Sequence, residues 1–158
     1  MPIFGKESVE ILKTIHPDLQ CLALEVVKHF DCKLLCGKRD KAGQDAAYNA
    51  VPKKSKTPWP ESKHNATPSA AMDLAPFPVV WPDKKVRPDT YEKDLAKWYM
   101  FGGFVVATAI QMGIKIRPGF DWDRDFDILD QSFDDLPHFE LAEYKEIGTA
   151  QDGGPMIE

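Results

Sequence analysis

The sequence predicts an α+β domain: a small, mainly antiparallel sheet with helices packed against it. Two segments carry apolar residues at helical spacing, Leu19, Leu22, Ala23, Val26, Val27 and Phe30 in the first quarter, and Tyr91, Leu95, Trp98, Val105, Ala109 and Met112 further on. Four other segments are short and apolar or alternating, Cys32–Cys36, Ala70–Ala75, Ile114–Ile116 and His138–Leu141, and read as strands. With 158 residues and no internal repeat, one domain is expected over 1–145. A flexible tail containing Gly153-Gly154-Pro155 is expected over 146–158.

In chain order, Ser8 to Thr14 reads as a short helix with Ser8 at its N-cap, and Pro17 suits the first position of a longer one. His16 and His29 flank that second helix as cap or helix-end residues. Cys32–Cys36 then runs through Gly37 into a loop with Lys38 and Arg39 at its mouth, where a cation can reach a cleft. Gln44 to Ala50 reads as a brief helix, and Val51 to Glu61 as a polar, Lys-rich loop bearing prolines. Ala70–Ala75 stops at Pro76 and turns Asp73 to one face. After a Pro-rich connection with Trp81, the longest helix spans about Thr90 to Met112. Its Gly102-Gly103 pair costs helix propensity and so marks a kink or a close approach by another element. Alternation in the last strand turns His138 and Glu140 to a common face.

Composition narrows the function classes. A hydrophobic fraction of 43% and a charged fraction of 28% are those of a soluble globular protein. No stretch approaches the roughly 18 apolar residues of a membrane span, and the N-terminus lacks the basic-then-apolar layout of a signal peptide. Synthesis in a cytoplasm without membrane insertion is therefore expected. The net charge of −5 argues against nucleic acid as a partner. Cysteines 21, 32 and 36 are odd in number and imply no disulfide framework, so reduced, buried thiols are expected. His29-x-x-Cys32-x-x-x-Cys36 has the look of a zinc knuckle but lacks a fourth ligand. Asp121, Asp123 and Asp125 open a run of alternating carboxylates that is not an EF-hand, because Phe126 stands where that loop needs glycine and Ser132 where it needs glutamate. An irregular calcium site and a solvated acidic loop are both open readings of it.

Two stretches carry the chemistry. Ser62-Lys63-His64-Asn65-Ala66-Thr67-Pro68-Ser69-Ala70-Ala71-Met72-Asp73 offers an imidazole and a carboxylate on either side of a Pro-Ser turn. Asp135-Leu136-Pro137-His138-Phe139-Glu140-Leu141 offers a second imidazole, preceded three positions earlier by a carboxylate. Two histidines and one aspartate make a three-ligand zinc set whose fourth position is left for water. His64, Asp73 and His138 are the candidate ligands, and Asp135 is the candidate base that takes the water's proton.

Together, Ser62-x-His64, Asp73 on the next strand and Asp135-x-x-His138-x-Glu140 resemble the zinc D-alanyl-D-alanine peptidase family, related to the hedgehog-type zinc fold. The likeness runs from about Leu35 to Leu141 and is greatest to single-domain phage endolysins that act as L-alanyl-D-glutamate peptidases. It implies Zn2+ on His64, Asp73 and His138, Asp135 as catalytic base, and Arg39 facing the substrate. Ser62 and Glu140 fall beside the motif, Glu140 placed to orient a ligand imidazole. The interval from His64 to Asp73 is two residues longer than the commonest pattern, and Pro118-Gly119-Phe120-Asp121-Trp122 replaces the family's Gly-Gly-Asp-Trp. The likeness further implies a monomer that cuts the peptidoglycan stem peptide. Such an enzyme is held in the host bacterial cytoplasm until a separate protein opens the membrane, and then acts in the periplasm on the wall. Rival readings are a D-alanyl-D-alanine carboxypeptidase or dipeptidase, which shares the ligand set, and a non-catalytic wall-binding module that keeps zinc for structure. Intact Asp135 and Arg39 speak against the second.

Overall fold

The computed structural model describes residues 1–144. The first helix, α1, covers Lys6–Leu12 with Gly5 at its N-cap, so it begins before Ser8. Ser8 does not cap it, because its hydroxyl is turned inward and accepts the amide of Leu34 at 3.1 Å, tying the helix to the first strand. Thr14 lies beyond the helix end, where its Oγ1 donates to the Ile11 carbonyl at 2.7 Å and competes with the helical ladder. The second helix, α2, covers Pro17–His29 with proline at its first position and the His16 ring accepting the amide of Asp18 at 3.2 Å. Strand β1 is Cys32–Cys36.

Helix α3 covers Lys41–Asn49 and starts three residues ahead of the expected Gln44, because Asp40 caps it by accepting the amide of Gly43 at 2.7 Å. A short 3-10 turn, Lys63–Asn65, precedes strand β2, Ala71–Pro76. Between β2 and the next helix, the connection is pinned where Trp98 Nε1 donates to the Val80 carbonyl at 2.7 Å and Trp81 stacks on the same indole at 4.7 Å. Helix α4, Tyr91–Gln111, ends in a left-handed Gly113 (φ 70°). The amide of Ile114 there reaches back to the Ala109 carbonyl at 2.9 Å. That helix stop uses Ile114, which is why strand β3 is Ile116–Gly119 and not Ile114–Ile116. Strand β4 is Asp135–Leu141, three residues longer at its start than expected.

The four strands form one sheet in the order β1-β2-β4-β3, with every neighbouring pair antiparallel. Alternation divides it into two faces. Leu34, Met72, Leu74, Phe139 and Leu141 face the helices and share a core with Leu22 and Val26 of α2 and Phe101 and Val105 of α4. A side chain at Gly102 would bring its Cβ to 2.5 Å from the Phe120 ring, so of the two readings of the glycine pair, close approach is the one realised. The opposite face carries Asp73, His138 and Glu140. Cys36 joins them because a bulge between Leu34 and Cys36 breaks the alternation of β1 and places Cys36 opposite Asp73. Cys32 is buried in the core, as expected, but Cys21 is exposed, which corrects the expectation that all three thiols are buried. Cys21 lies on an outer face of α2, away from the apolar stripe. No helix of the described residues is long and apolar enough to cross a membrane. The expected tail, 146–158, lies outside the described residues.

Candidate metal centre

Sheet register brings the first pieces together: Cys36 lies opposite Asp73, and Asp73 opposite His138. His64 comes from the 3-10 turn, which closes by reciprocal capping. Ser62 Oγ accepts the amide of His64 at 3.3 Å, and Asn65 Oδ1 accepts the amide of Ser62 at 3.2 Å. The turn is fastened to the loop after β1, since the Arg39 amide donates to the His64 carbonyl at 2.8 Å and Asn65 Nδ2 to the Arg39 carbonyl at 3.0 Å. Ser62 therefore builds the turn that presents His64.

His64 Nε2, Asp73 Oδ1 and His138 Nδ1 form a triangle, 3.2 Å from His64 to Asp73 and 3.3 Å along the other two edges. Three ligands of a tetrahedral ion bound at about 2.0–2.1 Å stand about 3.3–3.4 Å apart, so these atoms fit a single ion. The remaining nitrogen of each ring is already engaged. His64 Nδ1 bonds the Gly37 carbonyl at 2.7 Å, and His138 Nε2 bonds Glu140 Oε2 at 2.9 Å. A carbonyl and a carboxylate accept only, so each ring keeps its proton there and turns the other nitrogen's lone pair into the triangle. Arg117 Nε in turn donates to Glu140 Oε1 at 3.0 Å.

Without an ion, the charges settle among themselves. Burial disfavours a charged His64, but Asp73, by charge and hydrogen bond, outweighs it and raises His64 to about 10. Burial also works against ionised Asp73, yet His64 and His138 hold its carboxyl far below the usual range. His138 is raised against its burial by hydrogen bonds to Asp73 and Glu140. Asp135, at the start of β4, is raised by burial and then by the nearby Asp73 carboxylate.

Asp135 shares a cleft of about 560 Å³ with His64, Asp73, His138, Arg39 and Trp122. Arg39 reaches in beside Asp73, Nη2 to Oδ2 at 3.8 Å, with Nη1 donating to Gln44 Oε1 at 3.1 Å. The strand pairing beneath Asp135 leaves no room, because a Cβ on Gly119 would stand 2.4 Å from the Asp135 carbonyl oxygen.

A family model for phage L-alanyl-D-glutamate peptidases matches residues 2–142. The chain belongs to that family. It is thus a peptidase of the kind that acts on peptidoglycan. Among solved structures, the chain is similar to the L-Ala D-Glu endopeptidase ChiX of Serratia marcescens, with 22% identity, a TM-score of 0.60, and coverage of 88% of this chain and 90% of that one. That likeness extends to the α+β fold. No curated protein matches.

In this peptidase the structure gathers His64, Asp73, His138, Asp135, Arg39, Ser62 and Glu140 around one point. Asp121, Asp123 and Asp125 form a separate group with ligand atoms within 4.8 Å of one another. Asp121 there accepts the amides of Asp125 at 3.2 Å and Phe126 at 3.3 Å. Five residues of the site escaped sequence reasoning. Cys36 was read as core, yet its Sγ lies within 4.8 Å of ligand atoms of His64 and Asp73 and accepts from Arg39 Nη2 at 3.6 Å. Trp122 places its ring 5.5 Å from that of His138. Gln44 and Arg117 hold Arg39 and Glu140. Asn65 had a local signal, its position three residues after a capping serine, and Trp122 had another as the end of the segment that replaces Gly-Gly-Asp-Trp.

Proposed function

We propose that this peptidase is a zinc enzyme that hydrolyses the L-alanyl-D-glutamate bond of the peptidoglycan stem peptide. His64, Asp73 and His138 hold the metal in this reading. The observation that carries it is the 3.2 to 3.3 Å triangle of ligand atoms, with Asp135 and Arg39 in the same cleft. Peptide hydrolysis needs an activated water, a polarised carbonyl and a group that carries a proton to the leaving amine. When bound, zinc supplies Lewis acidity, which polarises a carbonyl and acidifies water.

Asp135 takes the water's proton on its carboxylate and delivers it to the D-glutamyl nitrogen as the bond breaks. Its raised pKa brings it closer to neutral pH than an ordinary carboxylate, which suits a group that must accept and then donate. Arg39, fixed by Gln44, donates to the oxygen that becomes negative as the carbonyl is attacked. Glu140 and the Gly37 carbonyl keep the two imidazoles in the tautomers that a metal requires. We read the enzyme as a monomer that acts on the wall in the periplasm after release from the host cytoplasm. The acidic loop keeps its two readings, an irregular calcium site and a solvated acidic face.

Digestion of purified peptidoglycan by wild type and Asp135→Ala, with mass analysis of fragments, tests the assignment. Wild type should expose new D-glutamate amines. Asp135→Ala should fold, keep its metal and lose about 10²- to 10⁴-fold in rate. Release of free D-alanine would move the assignment to a carboxypeptidase, and full activity in Asp135→Ala would remove it as the base.

A further inference from the structure

The chain carries a net charge of −5, yet the mouth of its cleft is basic. Lys53, Lys54 and Lys56 from the loop 51–61 and Lys63 from the 3-10 turn line it, with Glu61 the rim carboxylate among them. Lys13, Lys28, Lys33, Lys41 and Lys115 each pair with a carboxylate. Among the described residues the four rim lysines pair with none. Lys53 and Lys56 are held instead against aromatic faces, each Nζ 3.7 Å from a ring centroid, of Tyr48 and of Phe133. The loop backbone is fixed as well, because the fully buried Gln44 donates from Nε2 to Ser55 Oγ at 2.8 Å and to the Thr57 carbonyl at 2.6 Å. Ammonium groups presented by an anchored loop are already ordered when a ligand arrives.

Of the three acids inside the cleft, Asp73 faces two histidines and Arg39, Glu140 faces His138 and Arg117, and Asp135 makes no ion pair among the described residues. The uncompensated positive charge is at the rim, where a concave wall concentrates its field on whatever enters. An anion is the ligand that such a rim favours. The bond assigned above supplies one close by, since a glutamyl residue joined through its amine and one carboxyl keeps its other carboxyl free.

We propose that the lysine rim, centred on Lys53, Lys54 and Lys56, binds the free carboxylate of the D-glutamyl residue and makes the enzyme selective for substrate in which that carboxylate is not amidated. This rests on the peptidase reading. The rim acts on binding, so selectivity appears in KM, while kcat follows Asp135 and the metal.

The test uses two synthetic peptides spanning the L-alanyl-D-glutamate bond, identical except for carboxylate or carboxamide at that position, with the metal-loaded full chain. Wild type should show a KM about tenfold lower for the carboxylate peptide, the size of one hydrogen bond to a charged group, with similar kcat. The Lys53→Gln/Lys54→Gln/Lys56→Gln protein should lose most of that ratio, and the corresponding triple arginine protein should keep it. Lys54→Glu is the second variant, for which the ratio should invert or vanish; Lys54 makes no side-chain bond whose loss would disturb the loop. Equal KM values in wild type, or an undiminished ratio in both the triple glutamine and Lys54→Glu proteins, would overturn the proposal. If wild type cleaves neither peptide, the peptidase reading fails, and the ratio of Kd values for the same pair by calorimetry decides the rim separately.

Discussion

His138 shows how much one side chain depends on its neighbours. Its Nδ1 points into the metal triangle only while Nε2 keeps a proton for Glu140, and Glu140 stays ionised because His138 and Arg117 outweigh its burial. Glu140→Gln keeps an acceptor but removes the charge. Metal affinity, read by competition with a coloured chelator, should fall by about 10- to 100-fold. Unchanged affinity would mean that Glu140 serves Arg117 alone. Cys36 poses the opposite question, since a thiolate as fourth ligand would close the position that catalysis needs open. Cys36→Ala should therefore retain stoichiometric metal, whereas His64→Ala and His138→Ala should not. Loss of metal in Cys36→Ala would make the centre a structural one.

Helix α4 carries two adjacent glycines in opposite environments. Gly102 is buried with Phe120 against it, while a Cβ at Gly103 would meet nothing within 4 Å. Gly103→Ala should stabilise by about 0.5–1 kcal/mol, and Gly102→Ala should destabilise by about 1–3 kcal/mol, both measurable by urea melts. Two gains of similar size would mean that the ring does not pack there. The same helix marks the limit of what could be read from the sequence. Its apolar spacing was plain, but the helix stop that shortens β3 depends on how Ile114 bonds backward, which periodicity does not encode. The candidate ligands were legible because His64, Asp73 and His138 sit in recognisable local patterns. Gln44 and Arg117 were not, because they reach the site through a side-chain hydrogen bond and through sheet register. The first spans five residues from a helix back to a loop and the second joins residues distant in sequence, and no local pattern marks either.

For the whole molecule, pH separates the metal-free protein from the loaded one. His64 has a folded value of about 10 against an ordinary 6.5. Its contribution to metal-free stability is thus fully present below pH 6.5 and is lost as pH rises toward 10. Asp73 is depressed, so its contribution is present above its ordinary 3.8 and fades in acid. Metal needs neutral imidazoles and competes with those protons, so the gain in Tm on adding zinc should grow from pH 6.5 upward while the metal-free Tm falls. Parallel melting curves over that range would refute the shared site. Millimolar calcium at constant zinc tests the acidic loop by the same linkage, no shift being expected of a solvated face and a higher Tm marking a cation site. The bulge in β1 has a consequence of another kind. It acts as a change of phase: ahead of it the strand counts toward the core, and after it toward the cleft. Straightening the bulge with Leu35 kept in the chain would restore an unbroken two-residue rhythm, turn position 36 inward and draw the Gly37 carbonyl away from His64. The cleft would lose its order although every residue credited with chemistry remained in the chain.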